Sequence, residues 1–165
     1  MVEEKIELPS GVSVSLSGTG FTMNGPKGKV TATLPPVLTK SEGNAVTVSG
    51  KDRSYVNTAV ALIKSAAKGV TEGYSRKLQV VYAHFPITLE VKPGEVVIKN
   101  FLGEKHPRRA SISGETKIKV EKEFITVTGP DQYAVGQTAA NLKQATHIRF
   151  KDPRVFQDGI YDALK

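Results

Sequence analysis

The chain has 165 residues, with 23 Lys and Arg against 16 Asp and Glu, a net charge of +7 and a pI near 9.6. That length holds one domain or two small ones, and the charge draws the chain toward polyanions, meaning nucleic acid or an acidic membrane surface. Cys is absent, which excludes a disulfide framework, a Cys-based zinc site and thiol redox chemistry.

The first residues, MVEEKIELPSG, are acidic and amphiphilic and lack the basic start and apolar run of a signal peptide. No apolar stretch approaches the roughly 20 residues that span a bilayer, so a soluble, intracellular protein with no membrane partner is expected. Next, GVSVSLSGTGFTMNGPKGKVTATL alternates apolar and polar residues between Gly-rich turns, a pattern of short strands. Gly25–Gly28 (GPKG) is too short to cradle a phosphate and reads as a tight turn, followed by a strand over Lys29–Leu34.

VTVSGKD (Val46–Asp52) is a β-type run ending in Gly, a spacer and Asp. Beyond it Val56, Val60, Ile63 and Ala67 fall at helical spacing and make one apolar face. Asp52 stands where an N-cap is expected, and Gly69 suits the end of the helix. The joint between two halves is expected near Gln79–His84, with His84 in a packing role.

The second half repeats the first. ITLEVKPGEVVIKNFLG alternates again, with Pro93-Gly94 as a turn; Ile87, Leu89 and Val91 match Val12, Val14 and Leu16, and Asn100–Gly103 falls opposite Gly25–Gly28. A strand is expected at Lys117–Val120. ITVTGPD (Ile125–Asp131) then matches Val46–Asp52, and Val135, Ala139 and Leu142 fall 79 residues after Val56, Val60 and Ile63. Lys143 likewise matches Lys64, and Asp131 stands at the second N-cap position. The expected fold is α+β, a tandem duplication of a small domain, each copy a mostly antiparallel β-sheet packed with one main α-helix. The expected domains are residues 1–80 and 81–165, the second carrying a basic C-terminal tail.

No catalytic or metal-binding constellation emerges. His84, His106 and His147 lack partners at metal-ligand spacing, and GxxxxGK[ST], GxGxxG and GxSxG are absent. The basic residues are better organised. Lys105, His106, Arg108 and Arg109 surround Pro107 in a loop between strands. Lys143, His147, Arg149, Lys151 and Arg154 run from the end of the second helix into the tail, interleaved with Phe150 and Phe156. Arg forks bind phosphates, Lys neutralises the backbone, and an exposed aromatic stacks on an unpaired base. Gly159 allows close backbone approach to a sugar-phosphate edge. A solvated loop and an ordinary tail, with Phe150 and Phe156 as apolar anchors that pin the tail to the second core, is the competing reading.

GVTEGY (Gly69–Tyr74), HFPI (His84–Ile87), NFLGEKHPRR (Asn100–Arg109), VTGPDQYAVGQTAANL (Val127–Leu142) and KDPRVFQDGIY (Lys151–Tyr161) together resemble large-ribosomal-subunit protein six, in its archaeal and eukaryotic branch. The resemblance implies two tandem copies of one α+β fold in a structural constituent of the cytoplasmic ribosome, not an enzyme and without a cofactor. It implies contact with large-subunit ribosomal RNA close to the sarcin–ricin loop and the stalk base. It also implies neighbouring large-subunit proteins near the stalk base and translation GTPases nearby as partners. Carried onto this chain, the RNA-facing residues are Lys105, Arg108, Arg109, Lys143, Arg149, Lys151, Arg154, Gln157 and Gly159. Two alternatives stand beside it: a free-standing RNA-binding module, and a small hydrolase with dispersed Ser, His and Asp.

Overall fold

The computed structural model describes residues 2–164, and they divide into two units. The first holds the described residues up to Tyr74 together with Gly129–Gln132; the second holds Ser75–Thr128 and the chain from Tyr133 onward. The first unit runs β1 (Val2–Glu7), β2 (Ser13–Ser17), β3 (Gly20–Gly25), β4 (Gly28–Thr33), β5 (Leu38–Glu42), β6 (Ala45–Gly50) and α1 (Arg53–Thr71). Two antiparallel three-stranded sheets result, ordered β2-β3-β4 and β1-β6-β5.

Strand alternation sends Phe21, Met23, Val30, Ile6, Val46 and Val48 inward, where they meet Val56, Val60, Ile63, Ala67 and Val70 of α1. The apolar stripe read from the sequence is therefore the buried face of α1. Each Val, Leu, Ile or Phe so covered contributes about 1.5–3 kcal/mol, which offsets the low aromatic content.

The helix ends differ from expectation in two respects. Asp52 is the N-cap residue of α1, but its side chain makes no capping hydrogen bond. Gly69 lies inside α1, which continues to Thr71, and the left-handed backbone that ends the helix is taken by Gly73 at φ +81°. Gly69 serves proximity instead: a Cβ there would overlap the Pro130 carbonyl oxygen.

The second unit runs β7 (Tyr74–Val81), β8 (Thr88–Lys92), β9 (Glu95–Lys99), a 3₁₀ turn at Phe101–Gly103, β10 (Arg108–Ser111), β11 (Lys117–Glu121), β12 (Phe124–Gly129), α2 (Gln132–Ala145) and β13 (Gly159–Asp162). Its sheets are ordered β8-β9-β10 and β11-β12-β7-β13. The element order repeats that of the first unit, and β5, β6 and α1 begin 79 residues before β11, β12 and α2. Residues near Gln79 and Val81, expected at a joint, lie in β7 and pair with β13. β13 is an addition: it covers the edge of β7 whose counterpart in the first unit, β1, ends its sheet.

The two copies part company between their third and fourth matched strands. The β3–β4 hairpin closes over Pro26 and Lys27, whereas β9 and β10 are joined by residues 100–107. Strand register aligns Met23 with Ile98, because Val14 faces Met23 and Leu89 faces Ile98. Met23 also faces Val30, and Ile98 faces Arg108, so Arg108 occupies the sheet position of the buried Val30.

Candidate nucleic-acid interface

Arg108 is shaped by that position. Its guanidinium lies 4.5 Å from the centre of the buried Phe101 ring, and Nε and Nη2 donate to the two carboxylate oxygens of Glu104 at 2.9 and 2.7 Å. Nη1 donates to the carbonyl oxygens of Ala145 and His147, both at 3.0 Å, satisfying groups that the end of α2 leaves open. In the first unit the short β3–β4 turn reaches its helix by backbone alone, Lys27 N–H donating to the Val70 carbonyl. The Arg108 hydrogen bonds hold the Glu104 carboxyl below the usual carboxylate range, against a smaller opposing effect of burial. Arg108 is thus a strut between loop and helix, its fork already occupied.

Other predicted cations are held to differing degrees. Lys143 Nζ donates to Asp162 at 2.8 Å, and Arg76 joins the same carboxylate at 3.0 Å, tying β13 to α2 and β7. Lys143, and after it Arg76, holds the Asp162 carboxyl below its ordinary value against some burial. Arg154 folds back on Asp152, whose Oδ1 also accepts the Arg154 backbone N–H at 2.9 Å. Arg109 is mostly exposed and only 3.8 Å from Glu95. Lys151 sits 4.6 Å above the Phe156 ring, and Gln157 donates to the Arg154 carbonyl. Lys105 and Arg149 are exposed and make no ion pair among the described residues.

The tail is pinned from beneath. Asp158 is 1% exposed, and its oxygens meet His84 Nδ1 at 2.9 Å and the His84 backbone N–H at 3.4 Å. The His84 ring stacks on Phe156 with centroids 5.1 Å apart, so Phe156 is an anchor and His84 the surface it rests on. Burial pushes the Asp158 carboxyl up, but hydrogen bonds from the His84 ring and from the His84 and Ala83 backbones outweigh it, leaving the pKa below its ordinary value. A depressed folded-state pKa stabilises above the unfolded value of about 3.9 and ceases to as pH falls through the folded value. Between about pH 5 and pH 3, Asp158→Asn is therefore expected to lose less stability than the unaltered chain in paired thermal melts. Parallel curves would contradict it. Gly159, expected to meet RNA through its backbone, is buried and pairs with Val81, while Ile160 N–H donates to the buried Thr146 hydroxyl.

Two recesses share His147 on this surface. One, of about 350 Å³, is lined by Arg108, Gln144, His147 and Arg149; the other, of about 300 Å³, lies among Lys143, His147, Ile148, Lys151, Phe156 and Tyr161. The structure thus brings Arg108, Lys143, Arg149 and Lys151 around the end of α2. Sequence reasoning missed the acidic partners Glu104, Asp152 and Asp162, although Asp-Pro-Arg at residues 152–154 is a recognisable Asx turn. Of the two readings of Phe150, the apolar anchor is not what the fold makes of it: the side chain is fully exposed and its backbone is left-handed, at φ +61°.

The family model described as "Ribosomal protein L6" matches residues 8–73 and 85–159, one segment for each copy. Among curated relatives, "Large ribosomal subunit protein uL6" of Methanosarcina mazei is 46% identical, over 99% of this chain and 97% of its own length. The proteins of that name from Methanobrevibacter smithii and Haloquadratum walsbyi are 44% and 41% identical, covering 97% and 100% of the chain and 94% and 97% of themselves. With matches this extensive in both repeats, the chain belongs to the ribosomal protein L6 family.

Proposed function

We propose that this chain clamps folded large-subunit ribosomal RNA with the surface around the C-terminal end of α2, using phosphate contacts from the second unit. As a member of a ribosomal protein family it is a structural constituent of the large subunit and not an enzyme. The observation that carries the finer reading is the convergence of exposed cations there. Arg149 and Lys151 lie on the strap that follows α2 (residues 146–156), and Lys143, half-buried and paired with Asp162, lines the second recess beside it. Lys105 and Arg109 add charge from the β9–β10 loop and β10. Asp158, Phe156 and β13 fix the tail beneath these groups, so binding begins from an ordered surface.

Arg108 acts by holding the loop against α2, and Gly159 by closing the sheet. Gln157 is exposed and reaches a 2′-hydroxyl or base edge in a shallow groove. On this reading the RNA lies close to the sarcin–ricin loop and the stalk base, beneath the docking site of translation GTPases, which the resemblance to the family supports. There the protein positions RNA so that the RNA meets the factor.

The test is retention of large-subunit ribosomal RNA by the intact chain across a potassium chloride series. About five phosphate contacts give a slope of log affinity against log salt of roughly −4 to −5. A slope near −1 would show that these cations are not the contact set.

A further inference from the structure

We infer that Phe150 is a stacking platform for one unpaired nucleobase of the RNA that this surface holds, an inference that rests on the proposed RNA-binding reading. The ring is 105% exposed, so nothing in the chain covers it. Its backbone stands at φ +61°, a conformation that Gly or Asn adopts easily and an aromatic residue does not. Local backbone preference therefore does not account for a Phe at this point.

The strap that carries the ring is fixed at both ends. At its start His147 N–H donates to the Gln144 carbonyl at 3.1 Å. At its far end the Asp152 carbonyl accepts the N–H groups of Val155 and Phe156 at 3.1 and 2.9 Å, and the Asp152 side chain accepts that of Arg154. The left-handed turn at Phe150 projects the ring outward from between these anchors. Because the strap that carries the ring is already held, stacking has only the side chain itself to order.

The neighbours choose the ligand. Arg149 and Lys151, its neighbours along the chain, are both exposed, Lys151 reaching over the Phe156 ring. An apolar protein partner covering Phe150 would strip water from two cations and leave them without counter-charge, and interface cores are depleted of charge for that reason. A nucleotide strand meets all three requirements together, with the base on the ring and successive phosphates at the flanking cations. An unpaired base is needed, because a base inside a duplex has both faces covered.

The chain contains no Trp, so Phe150→Trp places a single indole at the site. Its emission is expected to be quenched on titration with a large-subunit ribosomal RNA transcript, with binding followed in parallel by filter retention. A blunt A-form duplex should leave the emission unchanged. Phe150→Gly relieves the backbone and is expected to melt no lower than the unaltered chain, while its RNA affinity falls by roughly five- to a hundredfold, the range for one aromatic–base stack. RNA retention with unquenched indole, or full affinity in the Gly variant, would overturn the stacking inference and leave the cation clamp standing. Quenching by the duplex equal to that by the transcript would also overturn it. Loss of RNA retention in the unaltered chain would overturn both readings. A blue-shifted, unquenched indole in assembled large subunits would assign the ring to a protein neighbour instead.

Discussion

Replacing Arg108 with Ala is expected to destabilise the second unit by about 2–4 kcal/mol, more than removal of any other exposed or half-exposed cation. The residue makes four donor contacts, two to the Glu104 carboxylate and two to the end of α2, and covers Phe101 besides. Truncation leaves the Ala145 and His147 carbonyls without this donor and the Glu104 carboxylate without its counter-charge. Arg108→Lys should recover little of the loss, since one ammonium cannot reproduce a planar fork with donors on two sides. Urea unfolding followed by a probe in the second unit measures the effect. An Arg108→Ala chain with unchanged unfolding but much weaker RNA binding would move Arg108 from strut to direct contact.

Gly69→Ala is expected to cost about 2–4 kcal/mol in the first unit, although Ala is the better helix former by about 1 kcal/mol at an ordinary helix position. The reason is steric. The methyl group would stand on the Pro130 carbonyl oxygen and close to the Tyr74 ring, so α1 or the Gly129–Gln132 segment must shift. Tyr74 is itself bonded to the Ser65 carbonyl at 3.0 Å, and Ser65 donates to Gln132 at 2.8 Å, so the displaced groups are already tethered. Gly136 in α2, where an added Cβ meets nothing within 4 Å, is the matched control. Gly136→Ala should be neutral or slightly stabilising. Equal effects at the two positions in thermal melts would show that backbone propensity, and not the close approach, decides the outcome.

The duplication was legible because it rests on periodicity. Val46 and Val48, like Ile125 and Val127, alternate into the core, and α1 buries the positions that helical spacing selects. Elements whose pairing is decided by distant chain were harder to see. The end of β7 reads as a joint between the halves, because only Leu78 and Val80 are buried along the strand and its partner β13 lies some eighty residues on. The tail reads as a basic arm, yet β13 and Asp158 dock it to β7 and His84, contacts that local spacing does not reveal.

The candidate site divides along the same line. Lys105, Arg149 and Lys151 are exposed, as a count of basic residues suggests, because nothing nearby competes for them strongly. Arg108 and Lys143 carry the same charge but are diverted by Glu104 and Asp162, which the fold brings beside them. A cation's role here depends on the nearest carboxylate, and Asp162 lies nineteen residues from Lys143. Phe150 shows the converse, where the backbone angle carries information that the residue's hydrophobicity does not.

Paired charge reversals decide whether RNA is held at the end of α2 in the second unit. Arg149→Glu with Lys151→Glu takes the net charge from +7 to +3, and so does Lys27→Glu with Lys29→Glu on the exposed β3–β4 hairpin of the first unit. Binding of each folded variant to large-subunit ribosomal RNA would be measured across the same salt series. The Arg149 and Lys151 pair is expected to lose about a hundredfold or more in affinity at low salt and to flatten the salt slope by about 2, at −0.9 per lost phosphate contact. The hairpin pair should lose far less and keep its slope. Equal losses would contradict the account by showing that overall charge alone draws the chain to RNA, and a larger loss from the hairpin pair would move the clamp to the first unit.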